Sequence, residues 1–148
     1  MNKIITAIYI IGIFGCQSNV PKFDKKNAFN YLLDQTDLGP RNPGSDAYYT
    51  CREFIKQEMN AFADEVIVQD FTYTEQVDNQ TYDFQNIIGR FNTEAEFQTI
   101  ISAHWDTRPW AEKDPDKRNR HKPILGANDG ASGVAVLLEL GRILSENP

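Results

Sequence analysis

Phe97-Gln98-Thr99-Ile100-Ile101-Ser102-Ala103-His104-Trp105-Asp106-Thr107 is the stretch whose reading decides the fold. Phe97 to Ala103 is a short apolar run that predicts a strand. Side chains alternate faces along a strand, so Ile100, Ser102, His104 and Asp106 share one side. His104 and Asp106 therefore emerge together where the strand stops. In open α/β sheets that edge is where ligands bind. A long polar loop follows, from about Asp106 to Asn128, and then a helix from about Gly130 to Ser145. That helix is apolar almost all round, with Val134, Val136, Leu137, Leu138, Leu140, Ile143 and Leu144. Such a helix is expected to be buried between a sheet and a neighbour.

Upstream, Asn27 to Leu38 reads as a helix, with Ala28, Tyr31, Leu32 and Leu33 apolar. Leu38-Gly39-Pro40-Arg41-Asn42-Pro43-Gly44-Ser45 cannot continue it, because its prolines and glycines break helical backbone. Ser45 is a natural N-cap, and Asp46 suits the positive end of the next helix, which should run to about Asn60. Two strands are expected at Glu65 to Tyr73 and Tyr82 to Phe91, joined by the polar turn Asp78-Asn79-Gln80. Helices first, then a hairpin, then a strand-loop-helix crossover indicate an α/β protein. The expected architecture is a three-layer α/β/α sandwich with a mixed central sheet.

The chain has 148 residues, enough for one domain with a real core. Hydrophobic residues make up 41% and nine Phe, six Tyr and two Trp argue against disorder. The net charge of -6, with no basic stripe, excludes a nucleic-acid partner from the expectation. Lys117, Arg118, Arg120 and Lys122 cluster, but among acids and prolines that suit a solvated loop.

Residues 1–16 read as a lipoprotein-type signal. Lys3 is followed by an apolar run, Ile4 to Phe14, too short to span a bilayer, and then by Gly15-Cys16. Cys16 is the expected lipid-attachment residue, and residues 17–26 the tether to a domain spanning 27–148. Export and membrane anchoring through that lipid follow as expectations. Cys51 then has no partner for a disulfide and reads as a small buried hydrophobe.

Two segments carry chemistry. A neutral His104 imidazole suits zinc, and a carboxylate two residues on can fix its tautomer and orientation. In Gly126-Ala127-Asn128-Asp129-Gly130-Ala131-Ser132-Gly133, small residues allow close backbone approach. Asp129 opens the last helix, either as its N-cap or as a metal ligand.

Taken together, Gly39-Pro40-Arg41, Pro43-Gly44-Ser45, Asn86-Ile87-Ile88-Gly89, Ser102-Ala103-His104-Trp105-Asp106-Thr107 and Gly126 to Gly133 resemble, in order, the motifs of the M28 zinc peptidase family. The stretch from His104 to Pro109, with Asp114-Pro115, looks most like the family's bacterial glutaminyl cyclases. The resemblance implies a metal role for Asp129 and His104, and Asp106 as the candidate catalytic-site residue, an acidic side chain that supports the histidine. It implies peptide or protein N-termini as substrate, with pyroglutamate formation and release of ammonia. It implies one zinc ion if the protein is a cyclase, and two if it is an aminopeptidase, the alternative activity. A non-catalytic lipoprotein on the same fold is a third possibility, and the oligomeric state stays open. The resemblance also implies a Glu-Glu pair and a late His beyond Pro148, so the 148 residues are expected to be the N-terminal part of the enzyme domain. Neither Glu139 nor Glu146 is assigned to that pair. Trp105 and Trp110 fit packing better than pocket lining, and His121 matches nothing in the family pattern.

Overall fold

The computed structural model describes residues 20–76 and 79–147. The signal, its Cys16, the start of the tether and Asp78 of the expected turn lie outside the described residues.

Helix α1 spans Lys25–Asp37, two residues earlier than periodicity indicates. Its start is set by Asp24, whose carboxylate accepts from the Lys26 and Asn27 amides and so satisfies donors that a helix leaves open. Helix α2 spans Asp46–Phe62, and Ser45 Oγ accepts the Tyr48 amide at 3.1 Å as the expected cap. Tyr48, Cys51 and Ile55 fall on one face at helical spacing and are buried. Strands β1 (Glu65–Thr74) and β2 (Thr81–Arg90) form an antiparallel hairpin whose register runs from Glu65 opposite Arg90 to Thr74 opposite Thr81. Phe71 and Phe84 lie directly opposite and stack at 5.5 Å. Helix α3 spans Ser132–Glu146.

The core lies where the three helices meet the hairpin. Tyr31 of α1, Cys51 and Ile55 of α2, and Val134, Ala135 and Leu138 of α3 form its centre. Ile87 of β2, Ala103 and Trp105 pack against it. Tyr48 ties the layers together. Its ring stacks on Trp105 at 4.3 Å and meets Phe84 edge-on at 6.0 Å, while its hydroxyl donates to the Asp83 carbonyl at 3.3 Å. Trp105 is therefore a packing residue, as its sequence context suggests.

The α/β class expected from the sequence is the one observed, with three differences of detail. First, Phe97 to Ala103 runs as chain without a ladder among the described residues. Phe97 is 86% and Ile100 92% exposed. An apolar run becomes a strand only where a neighbour accepts its backbone hydrogen bonds, and β2 bonds to β1 alone. The parallel pairing of a mixed sheet is accordingly not among the described ladders, which are antiparallel. Second, the last helix starts two residues later than expected, behind a wide turn at Ala127–Ala131. Third, α3 is not apolar on every side. Val136 and Leu144 are half exposed, and Glu139 sits fully buried on the core face.

Glu139 is tolerated there because its oxygens are fully used. It accepts from Arg142 at 2.7 and 2.9 Å, from Asn27 Nδ2 at 2.7 Å and from the Asp24 amide at 2.9 Å. A buried carboxylate needs such partners. The Arg142 guanidinium, helped by Asn27 and Asp24, holds its pKa down at about 2. The same contacts fasten the entry of α1 to the middle of α3.

Candidate metal centre

His104 and Asp129 come together although 25 residues separate them. His104 stands at the end of the extended run 97–103, and Asp129 in the turn before α3. The turn closes through the Ala131 amide on the Gly126 carbonyl at 3.2 Å. Within it Asp129 (φ -95°, ψ 95°) and Gly130 (φ 103°, ψ -66°) leave helical geometry. Gly130 is required there. Its φ is in the left-handed region, and a Cβ would meet the His104 ring at 3.2 Å and the Asp106 carbonyl at 3.2 Å. The N-cap reading of Asp129 is overturned by the same turn. Ala131 occupies the cap position of α3, with no side-chain hydrogen bond. The Asp129 carboxylate is directed to His104 instead.

His104 Nε2 lies 3.0 Å from Asp129 Oδ1. His104 Nδ1 lies 3.1 Å from the backbone carbonyl of Asp106 and 3.6 Å from its carboxylate. The orienting group two residues on is thus chiefly a backbone oxygen, with the Asp106 side chain behind it. A carbonyl can only accept, so Nδ1 must carry the proton. In the neutral tautomer Nε2 then presents a lone pair to a carboxylate oxygen. Two acceptors at 3.0 Å need a cation between them, either a proton or a metal ion. Two ligands at the tetrahedral angle on one zinc are about 3.3 Å apart, from bond lengths near 2.0 Å. The donor types and their spacing therefore fit two corners of a zinc site. Among the described residues no three His, Cys, Asp or Glu side chains gather to complete one. The pair is open to solvent, with His104 55% and Asp129 58% exposed.

Sequence reasoning missed Arg41, the group that joins the two site segments. It was noticed only as part of a motif. Its side chain is fully buried and bonds to both. The signal was an Arg in a proline-glycine loop with no acid beside it. The remaining candidates lie apart from the pair. His121 is exposed and lines a shallow depression with Trp110, Glu112 and Arg120. A second depression sits on the hairpin, beside Arg52 and Phe84. Cys51 is buried in the core, where burial pushes its thiol pKa up to about 11.

Asp129 thus sits in a turn between the 104–126 segment and α3, facing His104. Residues 86–148 match the family described as Peptidase family M28, in agreement with the resemblance read from the motifs. The solved glutaminyl cyclase of Bacteroides thetaiotaomicron, bound to N-acetylhistamine, is 41% identical and superposes with a TM-score of 0.83 over 87% of this chain and 44% of its own. A Zn-dependent exopeptidase from Parabacteroides distasonis is 35% identical, with a TM-score of 0.83 over 86% of this chain and 44% of its own. Among curated proteins, the glutaminyl-peptide cyclotransferase of Bos taurus is 28% identical over 76% of this chain and 30% of its own length. The chain thus spans under half the length of these relatives.

Proposed function

We propose that this chain supplies the His104–Asp129 side of the active centre of a zinc-dependent glutaminyl-peptide cyclotransferase. The observation that carries the reading is the convergence of His104 and Asp129, at 3.0 Å, in a chain that superposes on a solved glutaminyl cyclase. The substrate class is a peptide or protein with N-terminal glutamine. The products are N-terminal pyroglutamate and ammonia.

Zinc, when bound, supplies Lewis-acid polarisation of the substrate's side-chain carbonyl. Asp129 would hold the ion as a charged ligand. His104 would be a ligand if two metals are present, and a neighbour of the ion if there is one. Asp106 holds the imidazole of His104 in place: its backbone carbonyl accepts a hydrogen bond from Nδ1–H and leaves Nε2 directed at Asp129. The substrate's own α-amine is the nucleophile. Because it is tethered to the carbon it attacks, little entropy is lost in bringing the reactants together. A carboxylate outside these residues is required to take the amine proton and deliver it to the leaving ammonia. The test is ammonia release from a Gln-initiated peptide by the full-length gene product. Release of leucine from a Leu-initiated peptide without any ammonia would replace this activity with aminopeptidase.

The anchor belongs to the same proposal. Export and attachment through a lipid on Cys16 rest on Lys3, the apolar run and Gly15-Cys16. Labelling with a radioactive fatty acid should mark the wild type and spare Cys16→Ala. Equal label on both would remove the anchor from the proposal.

A further inference from the structure

Arg41 is the most unusual buried group in the molecule outside the proposed ligands. Its side chain is fully buried and forms no ion pair with any described residue. Burying a guanidinium without a carboxylate is costly unless its donors are satisfied. Arg41 satisfies them with backbone carbonyls. Nε donates to Trp105 at 3.0 Å, Nη1 to Leu125 at 3.0 Å and to Gln35 at 3.3 Å, and Nη2 to Gly126 at 2.9 Å. Its own carbonyl accepts the Thr107 amide at 3.1 Å.

These partners are not scattered. Trp105 lies between His104 and Asp106. Leu125 and Gly126 open the turn that carries Asp129. The Gly126 carbonyl takes both Nη2 of Arg41 and the Ala131 amide that closes the turn. Among the described residues, no other side chain bonds to both the 105 segment and the 125–126 segment. Gly126 is held in the left-handed region (φ 64°), and a Cβ there would come within 3.3 Å of Nη2 and 2.3 Å of the Thr107 methyl. The rigid fork of a guanidinium, with donors at fixed angles, fixes a distance in a way that a flexible lysine ammonium does not.

We propose that Arg41 is a positioning residue for the metal centre: its guanidinium clamps the carbonyls of both ligand-bearing segments and so sets the spacing of His104 and Asp129. The proposal rests on the zinc reading above. It goes beyond that reading because Arg41 touches neither metal nor substrate. The charge of Arg41 is kept by lysine but the fork is lost, so the conservative variant separates geometry from charge.

The experiment uses the full-length gene product, as wild type, Arg41→Lys and Arg41→Met. Zinc affinity is measured by competition with a chelator, and cobalt is substituted to record the visible ligand-field band of the site. Thermal melts are followed by circular dichroism. Groups that orient metal ligands typically change metal affinity by about 10–100-fold. Both variants should therefore melt cooperatively, bind zinc about 10–100-fold more weakly, and shift or lose the cobalt band. A folded Arg41→Lys with wild-type zinc affinity and an unchanged band would overturn the clamp. So would loss of the cooperative melt in both variants, since Arg41 would then belong to the fold at large. A wild type that binds zinc but cyclises no peptide would sink the proposed activity and leave the clamp standing. A wild type that takes up no zinc would overturn both.

Discussion

At the scale of single residues, His104 Nε2 and Asp129 Oδ1 face each other at 3.0 Å and need a cation between them, and each residue is half open to water. Asp129→Ala removes a charged ligand, so zinc affinity of the full-length gene product should fall by more than about 100-fold, beyond the effect of an orienting group. His104→Ala should be mild if one ion is bound and severe if two are. Equilibrium dialysis with zinc checks both. Retention of stoichiometric zinc by Asp129→Ala would remove it from the ligand set. Cys51 gives a second test at this scale. Burial raises its thiol pKa to about 11, against 9.0 for an ordinary thiol. The folded state therefore keeps its proton where the unfolded state loses it, and stability should decline as pH rises from about 9 towards 11. Below pH 8 the native thiol should be inert to a disulfide reagent and react only on unfolding. Rapid native labelling would place Cys51 outside the core. His104 and Asp129, both singled out in the sequence, face each other at 3.0 Å, although the run before His104 forms no ladder among the described residues. The Asp106 role was not legible in the sequence. Which of its oxygens meets His104 depends on the direction of a backbone carbonyl, and residue type does not encode that.

At the scale of elements, Glu139 and Tyr48 show how α1, α2, α3 and the hairpin are held. Glu139 has its folded pKa lowered to about 2, chiefly by Arg142. A depressed carboxylate contributes stability that is fully present above its ordinary pKa, about 4.5, and is lost as pH falls towards 2. The acid limb of a melting-temperature profile should therefore be shallower in Glu139→Gln than in the wild type. Identical profiles would show that the buried pair carries no pH dependence. Truncating Glu139 to Ala leaves the Asp24 amide and Asn27 without their acceptor, while Arg142 keeps Glu146, and should cost about 1–3 kcal/mol in chemical denaturation. Tyr48→Ala should cost about 3–5 kcal/mol as a large buried ring is removed. Tyr48→Phe, which loses only the bond to Asp83, should cost about 1 kcal/mol. Helices α1 and α2 and the hairpin were readable because caps, breakers and alternation act within a few residues. The run 97–103 read as a strand and pairs with nothing described, since apolar residues specify a strand only together with its neighbour. Gly130 and Ala131, the end of the turn before α3, read as helix because small residues are compatible with both.

At the scale of the whole molecule, the three α-helices and the hairpin close one core, yet leave large apolar side chains at the surface. Phe97, Ile100 and Ile101 are exposed together, and Val136 and Leu144 of α3 are half exposed. Leu138 of α3, by contrast, is fully buried with Tyr31 of α1 and Cys51 and Ile55 of α2. Exposed apolar patches promote association, so residues 1–148 expressed alone should self-associate at micromolar concentration. Sedimentation velocity showing a monomer with a cooperative melt would contradict this. The same residues alone should neither cyclise glutaminyl peptides nor release amino acids. Among the described residues two zinc donors come together and no proton shuttle stands beside them, and acid/base help alone is typically worth about 10²–10⁴-fold in rate.

The most direct measurement is ammonia released from a Gln-initiated peptide by the full-length gene product, before and after zinc is stripped by a chelator. The wild type should release ammonia in step with loss of the free amine. Chelation should abolish the release, added zinc should restore it, and Asp129→Ala should stay inactive throughout. Ammonia release that survives complete zinc removal, or that persists in a folded Asp129→Ala, would contradict a zinc-dependent cyclisation centred on Asp129.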